Sequence, residues 1–298
     1  MNNSGIAFGP DRQLQARMAI TMLLLGVLYS VFVIFLLQLG AAFALILVSG
    51  MVLVQFWMSD KMILATMRAK LVSNAEEPLL HEMVTDLSAK AGIPKPRVAV
   101  ANMSVPNAFA AGRSQKHATV AVTKGLMEML TKSQLEAVLA HEISHIKSRD
   151  VQVMTYASFF AVVASSLMSF FFFMGLFGGF GGRRNSSGGS YIMVAYIVTI
   201  VVWVVSQILV ATLSRYREFS ADRGAASLTG RPLELASALD RISNSVSKVP
   251  KNDLRKVETM NAFFIMPAIG DSIASFFSTH PSTMRRIEEL RKLAASIS

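Results

Sequence analysis

The sequence predicts an α-helical membrane protein with four transmembrane helices and a water-facing α+β domain that holds a small sheet. Three observations predict it. Hydrophobic residues make up 52% of the 298 and mean hydropathy is +0.46, too apolar for a globular protein with an ordinary charged surface. The apolar residues are gathered into three long uncharged stretches. The polar segments between and after them carry amphipathic helical periodicity and short β-rich runs.

The first uncharged stretch runs from Met18 to Ser59. One helix of that length would be roughly 60 Å, twice the hydrocarbon core of a bilayer, so the chain must turn back near Gln38-Leu39-Gly40 and make two spans. A cleaved signal peptide fits poorly, because the apolar part is too long and no small-residue cleavage site follows a short core. The other stretches, Val151 to Gly182 and Asn185 to Ser214, read as a third and fourth span joined through Arg183-Arg184 and the Gly/Ser-rich residues 185–190. For the third, a buried core helix is the competing reading, and Phe170 to Phe173 with the glycines beyond also suit a broken or re-entrant segment. The domain plan that results is a cytoplasmic lead (1–17), a first membrane hairpin (18–59), a polar segment (60–150), a second hairpin (151–213) and a second polar segment (214–298).

Net charge is +10, but the basic residues are not gathered with aromatic platforms as a nucleic-acid surface requires. They flank the spans instead. Arg12 and Arg17 precede the first, Lys61, Arg68 and Lys70 follow the second, and Arg215, Arg217 and Arg223 follow the fourth, which places the polar segments in the cytoplasm. Arg183 and Arg184 dissent and are outnumbered. Cysteine is absent, which excludes thiol nucleophiles, disulfides, thiolate zinc sites and iron–sulfur clusters.

In the first polar segment, Glu76-Glu77-Pro78 opens a helix with Leu79, Leu80, Met83, Val84 and Leu87 at helical spacing and Gly92 as its stop. Residues 97–101 and 118–123 are β-rich, with Asn107 to Gly112 between them. Ser133 and Glu136 have the spacing of a capping box, and Leu135, Val138, Leu139, Ile143 and Ile146 continue a helix from there. In the last segment Pro232 begins a helix carrying Leu233, Leu239 and Ile242, and Pro281 begins another carrying Met284, Ile287 and Leu290. Residues 261–267 and 272–277 fit either core or a loop resting on the membrane.

The chemistry lies in His141-Glu142-Ile143-Ser144-His145. Histidines four apart on a helix share a face and can grip one Zn²⁺, with Glu142 turned toward water at the open position, the arrangement of a metallopeptidase. Catalytic zinc takes three protein ligands, so a third must come from elsewhere. Downstream of the fourth span, Glu218 and Asp222 are also four apart. Glu218 can complete a His₂Glu set and Asp222 can accept the N–H of a ligating histidine. Carboxylates at this spacing are usually solvated surface, and only the pentad lifts the pair above that reading. Two intervening spans return the chain to the side it left, so both halves of the site lie on one face of the membrane. His280 is a candidate donor to the oxyanion, or else a helix-entry residue on the surface. His81 and His117 have no partners at ligand spacing and read as structural. Asn107, Ala108, Phe109 and Ala110 suit an edge strand that holds an extended substrate by its main chain, or a simple loop and strand.

These residues resemble the HtpX-like heat-shock-associated membrane zinc metallopeptidases, relatives of the CaaX prenyl endopeptidases. The likeness covers nearly the whole chain and rests on Asn107 to Ala110, Ala140 to His145, Glu218 to Asp222 and Thr279-His280-Pro281-Ser282. It implies a zincin-type α+β metalloprotease domain and one Zn²⁺ per chain on His141, His145 and Glu218, with Glu142 as general base. It also implies Asp222 as supporting carboxylate, Asn107 to Ala110 as the substrate-binding edge and His280 at the active site, either as transition-state donor or as regulator of the metal. The implied setting is a bacterial inner membrane with the site facing the cytoplasm, and the implied partners are misfolded or unassembled membrane proteins. The lead from Met1 to Arg17 is somewhat longer than the family's. A noncatalytic scaffold with a structural metal clip would call for a fourth protein ligand, and a transporter would call for intramembrane charges that the spans lack.

Overall fold

The computed structural model describes residues 11–38, 46, 49–50, 53–54, 57–58, 61, 63–174, 188–246 and 281–296. Most of the expected second span, the segments 261–267 and 272–277, and His280 lie outside the described residues. In chain order the elements are α1 (Arg12–Gln38), β1 (Ala69–Leu71), α2 (Pro78–Ala91), β2 (Arg97–Ala101), β3 (Ala108–Ala111), β4 (Thr119–Thr123), α3 (Lys124–Met129), α4 (Lys132–Lys147), α5 (Asp150–Met174), α6 (Gly188–Thr229), α7 (Pro232–Val246) and α8 (Thr283–Ala295).

Three helices among the described residues are long and apolar enough to cross a membrane: Arg12–Gln38, Asp150–Phe173 and Met193–Thr229. Helix α1 buries Thr21, Leu25, Tyr29, Phe32 and Leu36, a stripe at spacings of three and four that packs on α5 and α6. Between these positions Leu23 is 67% and Val31 62% exposed, the arrangement expected where lipid covers the outer face. Tyr29 Oη donates to the carbonyl of Ala157 at 2.6 Å, a polar tie between α1 and α5.

The fourth apolar stretch does not stop where its charges begin. Helix α6 continues for 42 residues, about 63 Å at the α-helical rise, and ends at Gly230, whose φ of 67° suits a residue without a Cβ. A single rigid rod therefore carries the apolar segment and the Glu218–Asp222 pair.

The sheet has the order β1-β2-β4-β3, with β2 and β4 parallel and both outer pairs antiparallel. Its side chains alternate as a pleat requires. Val98, Val100, Val120 and Val122 face the main core with α2, α4, α7 and α8, while Ala99, Phe109, Ala111 and Ala121 face a smaller cluster around Met67. Among the described residues strand β3 pairs with β4 alone and forms one edge of the sheet. Helix α2 ends at Gly92 in the left-handed region. Leu79, Leu233 and Met284 turn outward, so the cores of their helices are Leu80 and Leu87, Leu235 and Leu239, and Ile287 and Leu290.

The cap of α4 differs from the sequence expectation. Thr131 and Gln134 form the capping box, two residues earlier than Ser133 and Glu136. Both pairs fit the spacing, and tertiary contacts choose between them. Gln134 Nε2 donates to Ser237 Oγ at 2.9 Å, whereas Glu136 is drawn away by Arg231 at 2.6 Å.

Candidate metal centre

Helix α4 is buried along most of its length, so the pentad lies in the core rather than on a solvated helix face. His141 is 1% and Glu142 4% exposed, and the His145 side chain is 16% exposed. The backbones of α4 and α6 come close because residue 224 is glycine. A Cβ there would sit 2.5 Å from Ser144 Oγ and 2.8 Å from its Cβ. Ala221 and Ala225 beside it are also buried, and small residues on one helix face permit this approach.

Close packing brings Glu218 to the histidines. The two Nε2 atoms are 3.0 Å apart, His141 Nε2 lies 3.5 Å from Glu218 Oε2, and His145 Nε2 lies 3.5 Å from Glu218 Oε1. Among the described residues these three form the one group able to hold a metal ion.

Outside them stands a ring of charged partners. His141 Nδ1 lies 2.9 Å from Asp222 Oδ1, and His145 Nδ1 lies 2.6 Å from Asp150 Oδ2. Arg286, from α8, is 2% exposed and grips Asp222 with two donors, Nε to Oδ2 at 2.8 Å and Nη2 to Oδ1 at 2.6 Å. Its Nη1 lies 3.0 Å from Glu218 Oε2. Arg217 does the same on the other flank, pairing with Asp150 and donating to the carbonyl of Ser148 at 3.1 Å.

This donor set suits a divalent cation. Each Nδ1–H is taken by a carboxylate, which leaves each Nε2 with its lone pair turned toward the other and toward Glu218. Three convergent lone-pair donors repel one another unless a cation lies between them. Tetrahedral zinc with bonds near 2.05 Å has ligand–ligand edges of about 3.3 Å, and the observed separations of 3.0, 3.5 and 3.5 Å bracket that value. Charge points the same way, since four carboxylates, Glu142, Asp150, Glu218 and Asp222, gather around the two imidazoles, with Arg217 set against Asp150 and Arg286 against Glu218 and Asp222. Burial alone would lower the pKa of His141, but Asp222 and Glu218 hold it above the ordinary imidazole value. His145 is likewise raised against burial, by Glu218 and Glu142. Arg286 is held firmly charged, because Asp222 and Glu218 outweigh its burial.

The structure thus brings together His141, Glu142, His145, Glu218 and Asp222. Ala108 to Ala110 lie on the edge strand, with the buried Asn107 tying its start to β4 through Thr123, whose backbone N–H and hydroxyl both donate to the Asn107 carbonyl. His280 lies outside the described residues. His81 and His117 stand apart, bonded to the carbonyl of Val72 and the hydroxyl of Ser114. Sequence reasoning missed Asp150, Arg217 and Arg286. Only Arg286 left a trace, since it shares a helical face with Leu290.

Peptidase family M48 matches residues 74–294. Protease HtpX homolog 2 of Methanosarcina mazei is 52% identical over 291 residues, covering 97% of this chain and 98% of its own. Protease HtpX homolog of Moorella thermoacetica is 52% identical over 288 residues, covering 96% of each. The relatives thus include an archaeal protein as well as a bacterial one. The crystal structure of S. mikatae Ste24p aligns with a TM-score of 0.56 at 19% identity, over 93% of this chain and 66% of that one, a likeness of fold.

Proposed function

The chain belongs to peptidase family M48 and is a membrane-bound metalloendopeptidase, and from that premise we propose that it uses one Zn²⁺, held by His141, His145 and Glu218, to cleave misfolded or unassembled membrane proteins. Its setting is the cytoplasmic membrane, with the site on the cytoplasmic side, as the basic residues flanking the spans favour. Residues 18–59 and 151–213 each form a hairpin, making four spans with 1–17 as lead. Residues 60–150 and 214–298 together build a zincin-type domain. The observation that carries the reading is the convergence of two imidazoles and one carboxylate at 3.0 to 3.5 Å, each imidazole backed by its own carboxylate.

When bound, the ion supplies Lewis acidity, lowering the pKa of water and polarising the scissile carbonyl. Glu142 takes the proton of the attacking water and hands it to the leaving amine. Asp222 and Asp150 fix the histidine tautomers so that both Nε2 atoms stay free to ligate. Arg286 keeps Asp222 ionised and fixes the Oε2 side of Glu218. The main chain of Ala108, Phe109 and Ala110 receives the substrate as an added strand, a mode that accepts many sequences and so suits a quality-control enzyme. Asn107 anchors that strand, and His280, three residues before α8 in the sequence, donates to the oxyanion.

The test is digestion of casein and of an unfolded membrane protein by the detergent-purified enzyme. Chelator should abolish cleavage and added Zn²⁺ restore it, while Glu142→Gln should keep the metal and lose cleavage. Chelator-resistant cleavage, or full activity of Glu142→Gln, would contradict the reading.

A further inference from the structure

A small pocket opens beside His145, between the end of the edge strand and the joint of α4 with α5. Ala111, Gly112, His145, Ile146, Arg149 and Gln152 are among the residues that line it. It is a built feature, because two glutamines bridge its walls. Gln115 Nε2 donates to the carbonyl of Lys147 at 2.9 Å, and Gln152 Nε2 donates to the carbonyl of Arg113 at 3.0 Å.

Two left-handed residues shape it. Gly112, at φ 133°, occupies a place where a Cβ would lie 2.4 Å from the carbonyl oxygen of His117. Arg149 has φ 56°, a left-handed conformation that strains a residue with a Cβ and not glycine. Nothing in the joint needs an arginine for packing. Its side chain is exposed and makes no hydrogen bond or ion pair among the described residues. The nearby acid, Asp150, is already committed to His145 and Arg217. Three further bases neighbour the lining residues in sequence, of which Arg113 is stacked on Trp57, while Lys116 and Lys147 are exposed. The cavity is small, about 20 Å³, too little for a ring.

We propose that this pocket, with Arg149 as its specificity residue, selects an acidic substrate side chain next to the scissile bond. The inference rests on the peptidase reading above and deepens it. A substrate strand laid on β3 sends alternate side chains to one side, and the pocket shares His145 with the metal site, so a side chain close to the reacting carbonyl reaches it. The Arg149 guanidinium then pairs with the carboxylate that enters.

The test compares kcat/KM for peptide pairs that differ only by Glu or Gln at each position flanking the cleavage site, using the full-length zinc-loaded enzyme in detergent. The natural protein should favour Glu at one of these positions, by up to about tenfold for one partly solvated charge pair. In Arg149→Gly the ratio should fall toward one, and in Arg149→Glu it should invert in favour of Gln. Arg149→Gly should also hold or raise Tm, because the left-handed strain is removed, so loss of preference would not reflect unfolding. Equal Glu/Gln ratios in all three proteins would overturn the inference while leaving the peptidase reading intact. It would also be overturned, in favour of a lipid-headgroup site, if Arg149→Glu lost only binding to vesicles rich in anionic lipid. Absence of chelator-sensitive cleavage of any peptide by the natural protein would overturn the peptidase reading and this inference with it.

Discussion

The two histidines of the centre follow one plan in unlike surroundings. His141 is 1% exposed and stands on Asp222, which Arg286 clamps from α8. His145 has 16% of its side chain exposed and stands on Asp150, which Arg217 clamps from α6. Each is an imidazole, a carboxylate and a guanidinium in series. The closed flank fastens three distant parts of the chain to one centre, and the open flank leaves His145 beside a small pocket. Stability and access are thus divided between two copies of the same device.

The largest effect should come from the residue between them. Glu142→Gln should lower kcat by about a thousandfold with zinc content unchanged, whereas His141→Ala should lose both, as read by metal analysis beside peptide hydrolysis. Next in size is the closed flank. Replacing Arg286 with Met leaves Asp222 and Glu218 buried without their counter-charge, which should cost about 3 to 5 kcal/mol in the metal-free protein. The same change at Arg217, more open to water, should cost less by denaturant titration. Equal losses would erase the distinction between the flanks.

A smaller contrast lies in the outer carboxylates. Asp222→Asn should weaken zinc binding by about 10- to 100-fold, and Asp150→Asn by less, as measured by competition with a chromophoric chelator. The reverse order would mean that the exposed flank holds the ion. Smallest is a pH effect. Both imidazoles have raised pKa values, so in the metal-free protein their contribution to stability is full below the unfolded value of about 6.5 and is lost as pH rises through the folded values. Zinc requires both rings unprotonated. The gain in Tm on adding Zn²⁺ should therefore grow between about pH 6 and about pH 8, and a flat gain would contradict the assigned partners.

The same division explains what was legible in the sequence. Helix α4 and its pentad, the β-runs at 97–101 and 118–123, the stop at Gly92 and the pairing of Glu218 with Asp222 all rest on spacing along one element, which a sequence displays directly. Asp150 was hidden because it follows His145 across a break between two helices, where helical spacing no longer tells which residues meet. Arg217 and Arg286 were hidden among other basic residues, and only tertiary packing shows that these two are buried. The continuity of α6 was missed for a related reason. Charges at Arg215 and Arg217 mark where the apolar stretch ends, but they do not end a helix. Gly224 reads in the sequence as a weak helix former, and only the approach of Ser144 gives it a purpose.

The central claim is that a carboxylate from α6 completes a metal site begun on α4. Zinc content of purified Glu218→Ala, measured beside Glu142→Gln after equal dialysis, tests it most directly. One zinc per chain in Glu142→Gln and almost none in Glu218→Ala is the predicted result, and a full equivalent retained by Glu218→Ala would contradict it.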